Sequence, residues 1–403
     1  MLVNQKILLA IFFLFSLIQC SPQKGGKVQT DPQDTVKVES SEEMPRPSIQ
    51  VGAVQMEAYL PKLKGRKVAL VVNQTSRVGD VHLVDTLLQE GVDIQRIFAP
   101  EHGFRGEADA GEKVADGKDI QTGIRVKSLY GKNKKPSAAD VADLDWVVFD
   151  IQDVGARFYT YISTMHYVME ACAENGVSFM VLDRPNPNGH YVDGPLRKPG
   201  YESFVGLHPI PVVHGMTIAE YAQMINGEGW LKDSLSCQLE LVKCKHYDHQ
   251  RFYELPIRPS PNLPNIRSIY LYPSLCFFEG TVVSIGRGTH KQFQLIGHPT
   301  ATVGDFTFTP MPMPGAKRPK LEGQQCRGYD LSAISLDSLR QLARLDLDYL
   351  LNFYSSFSDK EQFFLKNNFF DKLAGTDQLR LQMQAGKTIE EIRQSWATDL
   401  AAF

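Results

Sequence analysis

The sequence predicts an α/β protein: a Rossmann-like, doubly wound parallel sheet domain followed by a smaller α+β domain. Three observations carry that prediction. From about residue 66, short Val- and Ile-rich runs alternate with stretches at helical spacing. Those runs are apolar without strict alternation, the pattern of strands covered on both faces. Beyond about residue 236 the chain becomes proline-rich with short strand-like pieces, and then helical to its C-terminus.

The elements follow in order. "KVALVVNQTS" reads as the first strand, and "DVHLVDTLLQEG" as a helix with Val81, Val84, Leu87 and Leu88 on one face and Gly91 as its stop. "IQRIFAPEHG" is the second strand, followed by a long insertion to about residue 137. "DWVVFDIQD" leads into "ISTMHYVMEACAENG", where Ile162, Met165, Met169 and Cys172 share a face. "VSFMVLDRPNP" is the fourth run and "IPVVHGMT" the fifth, with Thr217 capping the helix of "TIAEYAQMINGEG". These elements define a catalytic domain over 51–235. Residues 236–403 form the α+β domain that closes a cleft on it, with "CQLELVKC", "GTVVSIG" and "DFTFTPMP" as strand-like pieces. Ile389, Ile392 and Trp396 keep helical spacing near the end.

The N-terminus is of another kind. Lys6 precedes an apolar run from Ile7 to Ile18, which reads as a signal peptide over 1–19. It ends in "LIQC", which resembles a lipobox with Cys20 as the acylated residue. Residues 20–50 are then a polar, proline-containing tether. This predicts an exported lipoprotein of the periplasm or cell envelope, held at the membrane surface.

Composition excludes some classes. Lys and Arg number 43 against 46 Asp and Glu, for a net charge of −3, so there is no basic footprint for nucleic acid. No run matches a dinucleotide or P-loop fingerprint, and no G-x-S-x-G elbow is present. No cofactor is expected. Cys237 and Cys244 bracket a strand-like stretch roughly 23 Å long, too far apart for a disulfide.

Ligands of open parallel sheets collect at the carboxyl ends of the strands. Those ends carry Asn73, then Glu101 and His102, then Asp150 and Asp153, then Asp183 and Arg184, and finally His214. Such a rim suits three classes: glycoside hydrolysis by carboxyl groups, metal-assisted hydrolysis, and simple binding of a small ligand by an exported lipoprotein. Aromatic and amide groups favour a sugar: Phe158, Tyr159 and Tyr161 in "GARFYTY", Asn186 and Asn188, and Asn262 and Asn265 in "SPNLPN".

"PEHGFRG", "DIQDVGARFYTY", "DRPNPNG", "SPNLPN", "YPSLCFFEGT" and "SIGRGT" occur in that order and together resemble the exo-β-N-acetylmuramidase family. These bacterial glycoside hydrolases release N-acetylmuramic acid from the non-reducing ends of peptidoglycan fragments. The resemblance implies an active site in the cleft between the two domains, with the glutamate of "PEHG", here Glu101, as catalytic acid. His102 would tune or orient it, and Asp150, Asp153 and Glu279 compete for the role of second carboxylate. The lactyl carboxylate of N-acetylmuramic acid calls for an arginine. Arg105, Arg157, Arg184 and Arg287 are the possibilities, with Arg157 first. Asn73, Tyr159, Asp183, Asn186, His214 and Asn262 are expected around the sugar.

Overall fold

The computed structural model describes residues 47–101, 103–104 and 116–403. The expectations for the signal peptide, Cys20 and most of its tether, His102 and Arg105 lie outside the described residues.

Seven strands build the main sheet: β1 (Lys67–Val72), β2 (Asp93–Ala99), β3 (Gly117–Lys118), β4 (Arg125–Ser128), β5 (Trp146–Asp150), β6 (Ser178–Leu182) and β7 (Leu239–Val242). Their spatial order is β3-β4-β2-β1-β5-β6-β7. All neighbours pair in parallel except β3, which runs antiparallel to β4. The chain leaves β1 in one direction and returns to its other side at β5, so the switch point of a doubly wound sheet lies between these two strands.

Alternate residues of the apolar runs feed two different cores. Val68, Leu70 and Val72 pack with Tyr59 and Leu63 of α1 (Met56–Leu63) and with Leu83, Val84 and Leu87 of α2 (Leu83–Gln89). Ala69 and Val71 face the opposite cluster, with Ile162, Met165 and Met169 of α4 (Tyr161–Asn175) and Ile218 and Tyr221 of α5 (Ile218–Gly227); the short α3 (Ala138–Val141) adds Val141. Both faces of β1 are therefore dry, which is why its run lacks alternation. Thr217 caps α5 as expected: its side chain accepts from the Glu220 backbone N–H, and Glu220 reaches back in a capping box.

Two expectations need correction. The fifth run, "IPVVHGMT", does not join the sheet. Its Val213 makes only isolated bridges to Ala156 and Asp193, and β7 takes the edge beside β6 instead. The first sheet therefore extends to Val242, beyond the expected boundary at residue 235. The stretch read as a plain insertion also contributes β3 and β4. Arg125–Ser128 is short and largely polar, so it carries no apolar signal.

The rest of the chain wraps onto the same core. α6 (Ile266–Leu275) leads to a 3-10 turn at Cys276–Gly280 and a small antiparallel sheet of β8 (Leu295–His298), β9 (Phe306–Phe308) and β10 (Cys326–Asp330). Five helices follow, from α7 (Leu336–Leu342) through α8 (Asp348–Ser356), α9 (Phe369–Ala374) and α10 (Gln378–Gln384) to α11 (Ile389–Ala402). Phe353, Leu373, Ile392 and Trp396 join the cluster that covers the inner face of the main sheet. Among the described residues no helix is long and apolar enough to cross a membrane.

Candidate active site

Glu101 owes its place to the way β2 ends. Pro100 follows Ala99 and cannot donate to the ladder. The Gly103 N–H then bonds the Pro100 carbonyl at 3.0 Å. Gly103 sits at φ +76, a conformation that favours glycine, so "PEHG" turns within four residues. The turn presents the Glu101 carboxylate to the N-terminus of α4, where the Thr160 hydroxyl donates to its Oε2 at 2.9 Å.

There the carboxylate lines an open cleft. Phe158, Tyr159, Thr160 and Tyr161 come from the start of α4 and the loop before it. Ser260, Asn262, Tyr272, Arg287 and Phe293 come from the later part of the chain. The cleft is thus made between the two halves of the protein. Tyr159 and Tyr161 pack edge to face at 4.9 Å, and Tyr159 meets Tyr272 at 5.7 Å. Both Tyr159 and Tyr161 donate their phenolic O–H to the Pro259 carbonyl, at 2.9 and 3.3 Å. Burial holds both phenols well above their ordinary pKa. They are neutral, rigid walls.

Two further polar groups line the cleft. Asn262 is 1% exposed, and its Nδ2 donates to the Gly315 carbonyl at 2.8 Å. A carbonyl can only accept, so the amide orientation is determined, and Oδ1 is left without a partner. Arg287 donates from Nε to Glu279 at 2.7 Å, and its guanidinium lies 5.3 Å from the Phe293 ring centre. Among the described lining residues, Glu101 is the one carboxylate and Arg287 the one cation.

Of the residues expected around the reaction, the structure therefore brings together Glu101, Tyr159, Asn262 and Arg287, with Glu279 bound behind Arg287. The other described ones lie beneath the rim, and each has a local reason. Asp150 is fully buried and forms a two-pronged ion pair with Arg184, at 2.5 and 2.9 Å; the Arg184 side chain is 4% exposed. Both groups are consumed by each other, which corrects the expectation of a catalytic Asp150 and a ligand-binding Arg184.

Arg157 is also fully buried, and its guanidinium donates to the backbone carbonyls of Pro195, Ile210 and Leu373 at 2.6–2.9 Å. Burial lowers its pKa to about 9, so it remains charged at neutral pH. It ties the first half of the chain to α9 and does not reach the cleft, so it is not the sugar-binding arginine expected.

Asp153 accepts from the Gly155 N–H at 2.7 Å, and His214 Nε2 stands 4.0 Å from the same oxygen. Burial pushes Asp153 up to about 7 and His214 down to about 3. Both are buried, and neither lines the cleft. Asp183, pushed up to about 6 by burial, accepts from the Ala219 N–H at the start of α5. Asn73 accepts from the backbone and hydroxyl of Thr75, and Asn186 binds the Met216 carbonyl and the Asn188 N–H. These three organise turns.

Thr160, Ser260, Tyr272 and Phe293 are lining residues that sequence reading did not single out. Tyr272 lies inside the "YPSLCFFEGT" motif and was within reach of that signal; Phe293 has none.

The sequence and the fold both have known relatives. Residues 68–267 match the family model "Exo-beta-N-acetylmuramidase NamZ, N-terminal", and residues 270–403 match its C-terminal counterpart. The chain is 39% identical over 377 residues to the peptidoglycan beta-N-acetylmuramidase NamZ of Bacillus subtilis (strain 168), covering 89% of this chain and 90% of that protein. A crystal structure of a DUF1343 family protein from Bacteroides fragilis superposes with a TM-score of 0.82 at 46% identity, covering 88% of this chain and 96% of that one. A second DUF1343 protein from the same organism gives 0.69 at 29% identity, covering 89% and 98%.

Proposed function

The chain belongs to the NamZ exo-β-N-acetylmuramidase family, and from that membership we propose that Glu101 is its general acid. The protein is a glycoside hydrolase of peptidoglycan turnover, releasing N-acetylmuramic acid from the non-reducing end of saccharide fragments. The observation that carries the Glu101 assignment is its position: the one described carboxylate lining a cleft walled by aromatic rings. Glycoside hydrolysis needs a proton delivered to the departing oxygen, and a positioned carboxyl group supplies it. Thr160 orients that group through its hydrogen bond to Oε2. The flat faces of Tyr159 and Tyr272 suit a sugar ring, and Asn262 Oδ1 suits an acetamido N–H or a hydroxyl.

Incubation with the disaccharide of N-acetylmuramic acid β-linked to N-acetylglucosamine tests the activity, with longer chains as a second substrate. Both monosaccharides should appear from the disaccharide, and longer chains should shorten only from the non-reducing end. Internal cleavage, or no product from either, counts against the proposal.

The apolar run ending at Cys20 supports anchorage of the mature protein to the envelope through an acylated cysteine. Cys20→Ala should move the protein from the membrane fraction to the soluble one; unchanged fractionation refutes that part.

A further inference from the structure

We infer that Arg287 is the specificity-determining residue of the cleft, pairing with the carboxylate that distinguishes N-acetylmuramic acid from N-acetylglucosamine. The inference rests on the exo-muramidase reading and deepens it.

Arg287 is held as a binding residue needs to be. Its flanking glycines, Gly286 and Gly288, stand at φ +77 and +81. A Cβ on Gly286 would meet the Lys291 carbonyl at 2.7 Å, and one on Gly288 would meet Pro319 at 2.7 Å. The backbone around Arg287 is therefore packed tight on both sides. Glu279 takes only Nε, at 2.7 Å, while Phe293 supports the guanidinium from one side. Nη1 and Nη2 make no hydrogen bond to the described residues, which leaves the outer edge of the fork to a ligand.

Charge points the same way. Lys320 lies behind Glu279, its ammonium donating to the carbonyls of Phe278, Thr281 and Val283 at 3.1, 2.5 and 3.2 Å. These bonds hold the 3-10 turn that carries Glu279. Arg287 and Lys320 together bring two positive charges against the single negative charge of Glu279. The cluster thus has a positive surplus, and apart from Glu101 the other residues lining the cleft are uncharged. A guanidinium edge matches a carboxylate through paired charge-assisted hydrogen bonds. A neutral sugar hydroxyl gains nothing comparable.

The experiment uses three 4-nitrophenyl substrates: the β-N-acetylmuramide, its lactyl methylamide, and the β-N-acetylglucosaminide. Calorimetric binding of free N-acetylmuramic acid and N-acetylglucosamine is measured alongside. In Arg287→Met, kcat/KM for the muramide should fall on the order of 10- to 100-fold, the range for a charged hydrogen-bonded pair. The methylamide and glucosaminide should lose far less. Glu279→Gln/Arg287→Met, which leaves no unpaired carboxylate, should behave the same way, and it covers the case in which the single variant unfolds. An equal fall on all three substrates, or an unchanged muramide preference, overturns the inference. The two readings separate cleanly. If wild type binds N-acetylmuramic acid through Arg287 but hydrolyses nothing, the muramidase reading fails and Arg287 stands. If wild type hydrolyses the muramide and both variants bind N-acetylmuramic acid as tightly, Arg287 fails alone.

Discussion

Replacing Asp150 by Asn separates a buried structural role from a catalytic one. In the native protein Asp150 is fully buried and both its oxygens accept from Arg184, whose side chain is 4% exposed. Asp150 raises the Arg184 pKa against the opposing effect of burial. The asparagine variant keeps the shape but leaves a guanidinium in the interior with no counter-charge. Removing one partner of such a pair costs about 3–5 kcal/mol. At about 2.1 cal/mol/K of unfolding entropy per residue, a chain of this size loses about 1.2–1.4 °C of Tm per kcal/mol, so the fall should be roughly 4–7 °C. Thermal melting followed by circular dichroism measures it, with turnover assayed well below the transition. A double replacement, Asp150→Leu with Arg184→Met, removes the buried charge altogether and should recover much of the loss. If Asp150→Asn melts like the wild type yet loses 10²-fold or more in turnover, the scale expected of a missing acid or base, Asp150 belongs to the chemistry and the structural reasoning is wrong.

Two other predictions concern buried charge. Arg157→Met leaves the carbonyls of Pro195, Ile210 and Leu373 without their donor, so it should cost roughly 3 kcal/mol or more by melting and leave substrate preference unchanged; lost preference with an intact Tm would return Arg157 to the site. Asp153, pushed up to about 7 by burial, holds its proton in the folded state across a range where an unfolded carboxyl, near 3.9, does not. Its contribution to stability is therefore greatest below about pH 4 and is lost as pH rises toward 7. Asp153→Asn should lose less Tm than the wild type between pH 5 and 8, and parallel curves for the two proteins would contradict the buried, protonated state.

Much of the architecture was legible because it is written in the core. β1, β2, β5 and β6 are runs buried on both faces, and the resulting absence of alternation is a signal in the chain itself. β4 and β7 lie toward the edges of the sheet, where polar residues are tolerated, and there the signal fades. "IPVVHGMT" misled for the converse reason. Ile210, Val212 and Val213 are buried as a strand's residues would be, but they pack as an irregular segment against the inner core.

In the site, reading strand ends located Glu101 but over-collected. Asp150 and Arg184 lie 34 positions apart and nothing local in either stretch announces that they neutralise one another. Asp183 was drawn in by the same rule and Asn186 by its amide group, and they serve a helix start and a turn. Arg157 shows the limit most plainly. It sits among aromatics in "GARFYTY", yet its neighbours Phe158, Tyr159, Thr160 and Tyr161 reach the cleft while its own side chain runs back toward Leu373. Side-chain direction at a strand-to-helix junction is set by packing with distant segments, so spacing alone could not choose among the four arginines.

The claim on which the account turns is that Glu101 donates a proton to the leaving sugar. Glu101→Gln keeps an oxygen for Thr160 but has no acid proton to give, so its effect should depend on what departs. N-Acetylglucosamine leaves poorly without protonation, whereas 4-nitrophenolate needs little help. Comparison of the variant on the disaccharide and on 4-nitrophenyl β-N-acetylmuramide should show a loss on the order of 10² to 10⁴ in kcat for the first and a much smaller one for the second. Equal losses on both substrates, or near-normal turnover of the disaccharide, would contradict it.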